Sequence, residues 1–204
     1  MMRPNMIVPG GGRWFAEGPS PFQTVLAMVG VKPGGVAVVF GAGDGALAAE
    51  LAGITGLNGR TLVVDPDAAA EARVEKAAAS AGRLVEFART RLASIGDAAS
   101  DADVAVINCQ LGAQGRAASE IVSEAVRILR AGGRVIVIEG WRRKGLFGFG
   151  RSSGPEPMAS DAVCALLAEA GLRATRVLGE ERGVSYIEGI KSGTTGTTGT
   201  AGTG

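Results

Sequence analysis

Residues 36–46, VAVVFGAGDGA, set an unbroken apolar run directly against three glycines in five positions, Gly41, Gly43 and Gly45; a helix-patterned ALAAELAGI begins at Ala46. An apolar run without alternation fits a strand buried on both faces, which requires helices above and below it. The glycines let the backbone turn sharply at the strand's end and approach another group where a side chain would clash. Strand, glycine turn and helix in immediate succession commit the chain to a parallel α/β sheet, because parallel strands need crossover connections that are usually helical.

The unit recurs. TLVV at 61–64 ends in Asp65-Pro66 and leads into the helix-like AAAEARVEKAAASAG, closed near Gly82. RLVEFA at 83–88 is a third strand candidate, followed by a short helical or irregular segment over 91–99. DVAVINC at 103–109 is a fourth strand; Ile121, Val122, Val126 and Leu129 mark a helix over 119–130, and RVIVIEG is a fifth strand ending near Glu139. Ahead of the first strand, SPFQTVLAMVG reads as a helix with Ser20 as its cap, Pro21 in its first turn and Gly30 as its stop. A helix over 158–170 and two strands, LRATRVLGE and VSYIEGIK, joined by a polar turn at 181–183, make the end of the pattern an antiparallel hairpin. The expected domain is 20–191, between a Gly/Pro-rich surface segment at 1–19, with Trp14 and Phe15 as anchors, and a disordered Thr/Gly tail at 192–204.

Composition removes several function classes. The chain has no histidine, which excludes a histidine base, a histidine metal ligand and a Ser/His/Asp triad. Two separated cysteines, Cys109 and Cys164, make a poor zinc site and read as free thiols in apolar runs. A net charge of +1 predicts no strong field for nucleic acid. No window reaches the 18 or so apolar residues of a membrane span, and the N-terminus has no leader-like apolar core, so a cytoplasmic protein is the expectation.

Right-handed crossovers bring the carboxyl ends of parallel strands to one edge of the sheet. Gly41, Asp65, Arg91, Asn108 and the loop 140–157 all follow strands and should share that edge. Amides opening the helix at Ala46 would face it with a positive dipole end. Asp65 either accepts hydrogen bonds from the vicinal hydroxyls of a ribose or forms a turn or cap before the next helix, a role open to Asp67 as well. Asn108 either ties down its turn or lines a pocket.

The run VVFGAGDGALAAELA resembles the glycine motif of class I S-adenosylmethionine-dependent methyltransferases. TLVVDPD is similar to that family's second-strand acidic motif, and DADVAVINCQLG with IVSEAVRILRAGGRVIVIEG to its fourth strand, helix and fifth strand. The resemblance spans 20–191 and is closest in general appearance to the small-molecule methyltransferases. It implies a Rossmann-like three-layer sandwich with a seven-stranded, mostly parallel sheet ordered 3-2-1-4-5-7-6, and S-adenosylmethionine as cofactor. Phe40, Gly41, Ala42, Gly43 and Gly45 would lie along the cofactor, the glycines against its methionine part, with Asp65 on the ribose hydroxyls and Pro66 near adenine. Arg91 and Leu92 would sit beside the adenine ring, and Asn108 with Cys109 near the transferable methyl group. Two positions depart from the family. Val39 stands where many members carry a carboxylate that holds the cofactor's amino-acid end, and Arg91 replaces the usual acidic residue.

The implied reaction is methyl transfer to a small, partly apolar acceptor, in which the protein supplies proximity and alignment. Candidates for a general base are Glu17, Glu139 and Tyr186, with Glu139 equally suited to cap Gly140 or Trp141. In the Gly-rich loop 140–157, Trp141, Leu146, Phe147 and Phe149 alternate with Arg142, Arg143, Lys144 and Arg151. It serves as a lid or a peripheral membrane contact through 141–151, or as a solvated basic loop with its rings tucked inward. The DNA-methylating Asn/Asp-Pro-Pro-aromatic motif is absent; the chain has NCQL. Two other functions compete: a noncatalytic protein retaining the fold as a monomer or homodimer, and a nicotinamide-dependent oxidoreductase, for which Gly41, Gly43 and Ala46 satisfy GxGxxA.

Overall fold

The computed structural model, which describes residues 22–140, 156–181 and 183–193, turns the apolar runs into seven strands: β1 (Val36–Phe40), β2 (Arg60–Val64), β3 (Glu86–Ala88), β4 (Ala102–Asn108), β5 (Leu129–Gly140), β6 (Arg173–Glu181) and β7 (Val184–Ile190). They form one sheet ordered β3-β2-β1-β4-β5-β7-β6. β1 to β5 are mutually parallel, and β7 inserts antiparallel between β5 and β6. Among the described residues six α-helices accompany the strands: α1 (Gln23–Val29), α2 (Ala46–Thr55), α3 (Ala68–Ala81), α4 (Leu111–Gln114), α5 (Ala118–Ile128) and α6 (Ser160–Glu169).

Alternation along the apolar strands sorts the core into two layers. Val38 and Phe40 of β1, with Ile107 of β4 and Val137 of β5, pack on Ile121, Val122 and Ile128 of α5 and Val163 and Leu167 of α6. Their neighbours Ala37, Val39, Val106 and Ile138 face Val25 and Val29 of α1, Leu47 and Leu51 of α2, and Val74 of α3. Both faces are thus covered, which is why these strands show no polar alternation.

Where boundaries differ from the sequence reading, a neighbour explains the shift. β3 keeps only three residues, because Gly82 closes α3 in a left-handed conformation and Arg83–Val85 carry the chain back to the sheet edge. α5 stops at Ile128, since Leu129 already pairs with Ala102 at the irregular start of β5. α6 begins at Ser160 rather than Met158, whose amide is instead held by Glu139. α1 starts at Gln23, with Phe22 at the cap position and no side-chain cap bond; Ser20 and Pro21 lie outside the described residues, as do 1–19, 141–155 and the tail from 194.

One ionic cluster crosses the far side of the sheet. Glu188 on β7 is 1% exposed, and its two oxygens accept from Arg134 of β5 at 2.7 Å and from Arg176 of β6 at 3.0 Å. Arg134 also donates to the Met28 and Val29 carbonyls, tying the otherwise lightly packed α1 to the sheet.

Candidate cofactor site

β1 lies between β2 and β4, with Phe40 level with Val64 and Ile107. Gly41, Asp65 and Asn108 therefore sit at the end of the sheet side by side, and the hydrogen bonds show how they meet. The Gly41 amide donates to the Val64 carbonyl at 2.9 Å. The Ala42 amide donates to Asp65 Oδ2 at 2.8 Å, and Asn108 Nδ2 donates to the Gly41 carbonyl at 3.2 Å. From α3, Arg73 Nε donates to the Gly43 carbonyl at 3.1 Å, while its Nη2 reaches Asp67 Oδ2 at 3.1 Å. The glycine turn is thus suspended from β2, β4 and α3 at once.

The three glycines divide by what their missing Cβ would meet. At Gly45, φ +85°, it would come within 2.8 Å of Val74 Cα, so this glycine permits the contact between α2 and α3. At Gly41, φ +91°, it would collide with the Gln110 carboxamide. At Gly43 it would meet only Asn108 Nδ2, at 3.1 Å. Two glycines face the strand-end edge and one serves helix packing.

Asp65 holds backbone and keeps capacity to spare. Its Oδ2 takes the Ala42 amide and its Oδ1 the Asp67 amide at 2.9 Å, whereas Asp67 caps α3 by accepting from Ala69. A carboxylate offers about four lone-pair sites, so two remain for donors such as the vicinal hydroxyls of a ribose. Asp65 and Asn108 are half-buried, and Pro66 and Arg91 are exposed. Phe40 and Leu92, at 0% and 5% exposure, have their side chains in the core against the α5 layer. Val39 is 1% exposed in the opposite layer, so position 39 is closed to a ligand. Asp65 with its spare lone pairs and the clearance at Gly43 lie at the open strand-end edge, whereas the Ala46 amide that opens α2 is taken by Asp44 Oδ1 at 3.1 Å.

The candidate bases behave differently. Glu139, 3% exposed, accepts from the Leu111 amide at 2.8 Å through Oε1 and from the Met158 amide at 3.3 Å through Oε2. It therefore pins the start of α4 and the Met158 amide ahead of α6; Trp141, the other partner its sequence position suggests, lies outside the described residues. Tyr186 is buried on β7; burial pushes its hydroxyl up from the ordinary value, with Glu181 and Cys109 adding to the shift, which removes it further from base strength at neutral pH. Glu17 lies outside the described residues. Among the described residues, no cluster of three or more His, Cys, Asp or Glu could hold a metal ion, and no helix is long and apolar enough to cross a membrane.

Sequence reasoning missed two residues of this edge. Arg73 carries no local signal, because its contact with Gly43 spans 30 residues. Gln110 is signalled only by a polar side chain two residues past Asn108, and its place over Gly41 follows from the turn between β4 and α4, where Cys109 adopts φ +51°.

The comparisons with known proteins agree with this geometry. Residues 37–133 match the model of a methyltransferase domain family. No curated protein matches the sequence. A SAM-dependent methyltransferase from Aquifex aeolicus superposes with a TM-score of 0.68 at 19% identity, covering 85% of this chain and 93% of that one. An O-methyltransferase family protein from Burkholderia thailandensis gives 0.65 at 16% identity, covering 85% and 57%. A putative rRNA-methylase from Clostridium thermocellum gives 0.61 at 19% identity, covering 83% and 93%. The chain thus spans nearly all of two of these structures and little more than half of the third. Residues 37–133 thus match a methyltransferase domain family, and the strand order β3-β2-β1-β4-β5-β7-β6 with the glycine turn at the end of β1 is the fold that these methyltransferase structures share.

Proposed function

We propose that this chain transfers a methyl group from S-adenosylmethionine to a small, partly apolar acceptor, through a domain spanning 20–191. The observation that carries the reading is the meeting of Asp65 and Asn108 on the one peptide unit that joins Gly41 to Ala42, with lone pairs of Asp65 unused. In this reading Asp65 and Pro66 take the nucleoside, Gly41, Ala42 and Gly43 the tail, and Asn108 faces the methyl group. Gly45, Phe40 and Leu92 shape the site from behind, and Arg91 lies at its rim.

The cofactor supplies an electrophilic sulfonium methyl group when bound. The chain's part is to hold the nucleoside at Asp65, to keep the glycine turn rigid through Arg73 and Asn108, and to direct the acceptor between the ends of β4 and β5. Among the described residues the two candidate bases are taken up, Glu139 by backbone amides and Tyr186 by burial. The chemistry best supported is therefore alignment with a nucleophile that needs little proton removal.

Calorimetric titration with S-adenosylmethionine, S-adenosylhomocysteine and NADH tests this. Binding of the first two without NADH is expected. Binding of NADH alone would revive the oxidoreductase, and binding of none would favour a noncatalytic protein, which the closed position 39 also suits.

A further inference from the structure

In the family the cofactor's amino-acid end is often held by a carboxylate at the position of Val39, and here that side chain is 1% exposed among apolar neighbours. The contact must come from elsewhere if it is made by a side chain. A ligand with its ribose at Asp65 and its methyl group toward Asn108 runs its tail over the peptide unit that joins Gly41 to Ala42, because Asp65 holds that unit's amide and Asn108 its carbonyl.

Gln110 occupies this place. The three atoms nearest to where a Cβ on Gly41 would stand all belong to its side chain, with Cδ at 2.6 Å and Cγ at 2.8 Å. The carboxamide is held by a single bond, Nε2 to the Asn108 carbonyl at 3.1 Å, and its Oε1 accepts no hydrogen bond from the described residues and is not buried. Its backbone is anchored next door, since Glu139 fixes the Leu111 amide at 2.8 Å. A half-buried, firmly based amide with a vacant carbonyl oxygen is a ready acceptor for an ammonium group.

We propose that Gln110 is the positioning residue for the cofactor's amino-acid end: its Oε1 accepts from the α-ammonium group once the side chain swings off Gly41, taking over the role denied to position 39. The assignment rests on the proposed function above. It makes the clearance at Gly41 a shared space, filled by Gln110 until a ligand tail displaces it.

Calorimetry with two probes on the parent, Gln110→Ala and Gln110→Glu separates the possibilities. S-Adenosylhomocysteine carries the amino-acid end, and 5′-methylthioadenosine lacks it. Gln110→Ala should weaken S-adenosylhomocysteine about tenfold or more while leaving methylthioadenosine within about twofold. Gln110→Glu, which restores a carboxylate, should bind S-adenosylhomocysteine more tightly than the parent. Equal changes for both probes, or an unchanged S-adenosylhomocysteine affinity in Gln110→Ala, would overturn the role of Gln110 while leaving the proposed function standing. Failure of the parent to bind either probe would overturn the proposed function and this assignment together.

Discussion

Asp65 and Glu139 are the same kind of group in the same kind of place, a carboxylate at the carboxyl end of a parallel strand, yet the fold uses them in opposite ways. Asp65 is half-buried at the end of β2, spends one oxygen each on Ala42 and Asp67, and retains lone pairs at an open edge. Glu139 is 3% exposed at the end of β5, and its oxygens go to the Leu111 and Met158 amides. Glu188 extends the second pattern, with two guanidinium partners and 1% exposure. Asp65 and Glu139 each accept two backbone bonds, so what separates their roles is access: the lone pairs left on a buried carboxylate cannot be reached by a ligand, whereas those at an open edge can.

The strongest way to break this contrast is at the buried end. Glu188→Ala strands Arg134 beside the sheet, and removing one partner of a buried pair costs about 3–5 kcal/mol. The partial exposure of both arginines, 28% and 66% for Arg134 and Arg176, puts the expected loss near the lower end. Urea unfolding measures it, and the folded fraction should bind S-adenosylhomocysteine as the parent does. Glu139→Ala leaves two backbone amides without partners and should cost about 2–4 kcal/mol of stability. A collapse of cofactor affinity with unchanged stability would instead move Glu139 into the site.

At the open end the sign of the comparison reverses. Asp65→Ala is expected to lose about 1.5–3 kcal/mol of S-adenosylhomocysteine binding, against about 1 kcal/mol of fold stability from its backbone bonds. A lower melting temperature with intact affinity in the folded protein would reduce Asp65 to a turn residue.

The smallest effect belongs to a carboxylate away from both. Arg127 beside Glu124 holds its carboxyl below the ordinary value of 4.5, with the Ile95 and Gly96 amides adding and burial opposing. A depressed folded value means that the stabilisation is complete above the ordinary range and is lost as pH falls through the lower folded value. Glu124→Gln should therefore cost on the order of 1 kcal/mol at pH 7 and approach zero difference in strong acid. A gap that stays constant down to the acid limb of the urea series would show that the pair is not what stabilises the parent.

Much of the fold was legible because its signals are local. VAVVF, TLVV and DVAVIN announce strands buried on both faces, and Gly82 and Gly30 close α3 and α1 where their sequence positions suggest. The edge itself was legible as a list of strand ends, since chain direction in a parallel sheet places them together. The division of labour within that list was not. Gly45 looks like its companions, yet it faces Val74 of α3; Phe40 and Leu92 follow the motif, yet their side chains belong to the core.

The sequence by itself determined the alternation of strand and helix, the antiparallel hairpin at the end and the strand-end position of Gly41, Asp65 and Asn108, because periodicity and glycine placement act over a few residues. Only the tertiary structure decided which polar groups are spent and which are available. Arg73 meets Gly43 across 30 residues, Glu139 meets Leu111 across 28, and Arg134 meets Val29 across 105. Such partners become neighbours only when the sheet is assembled, and the lone pairs they leave unused are what a ligand can reach.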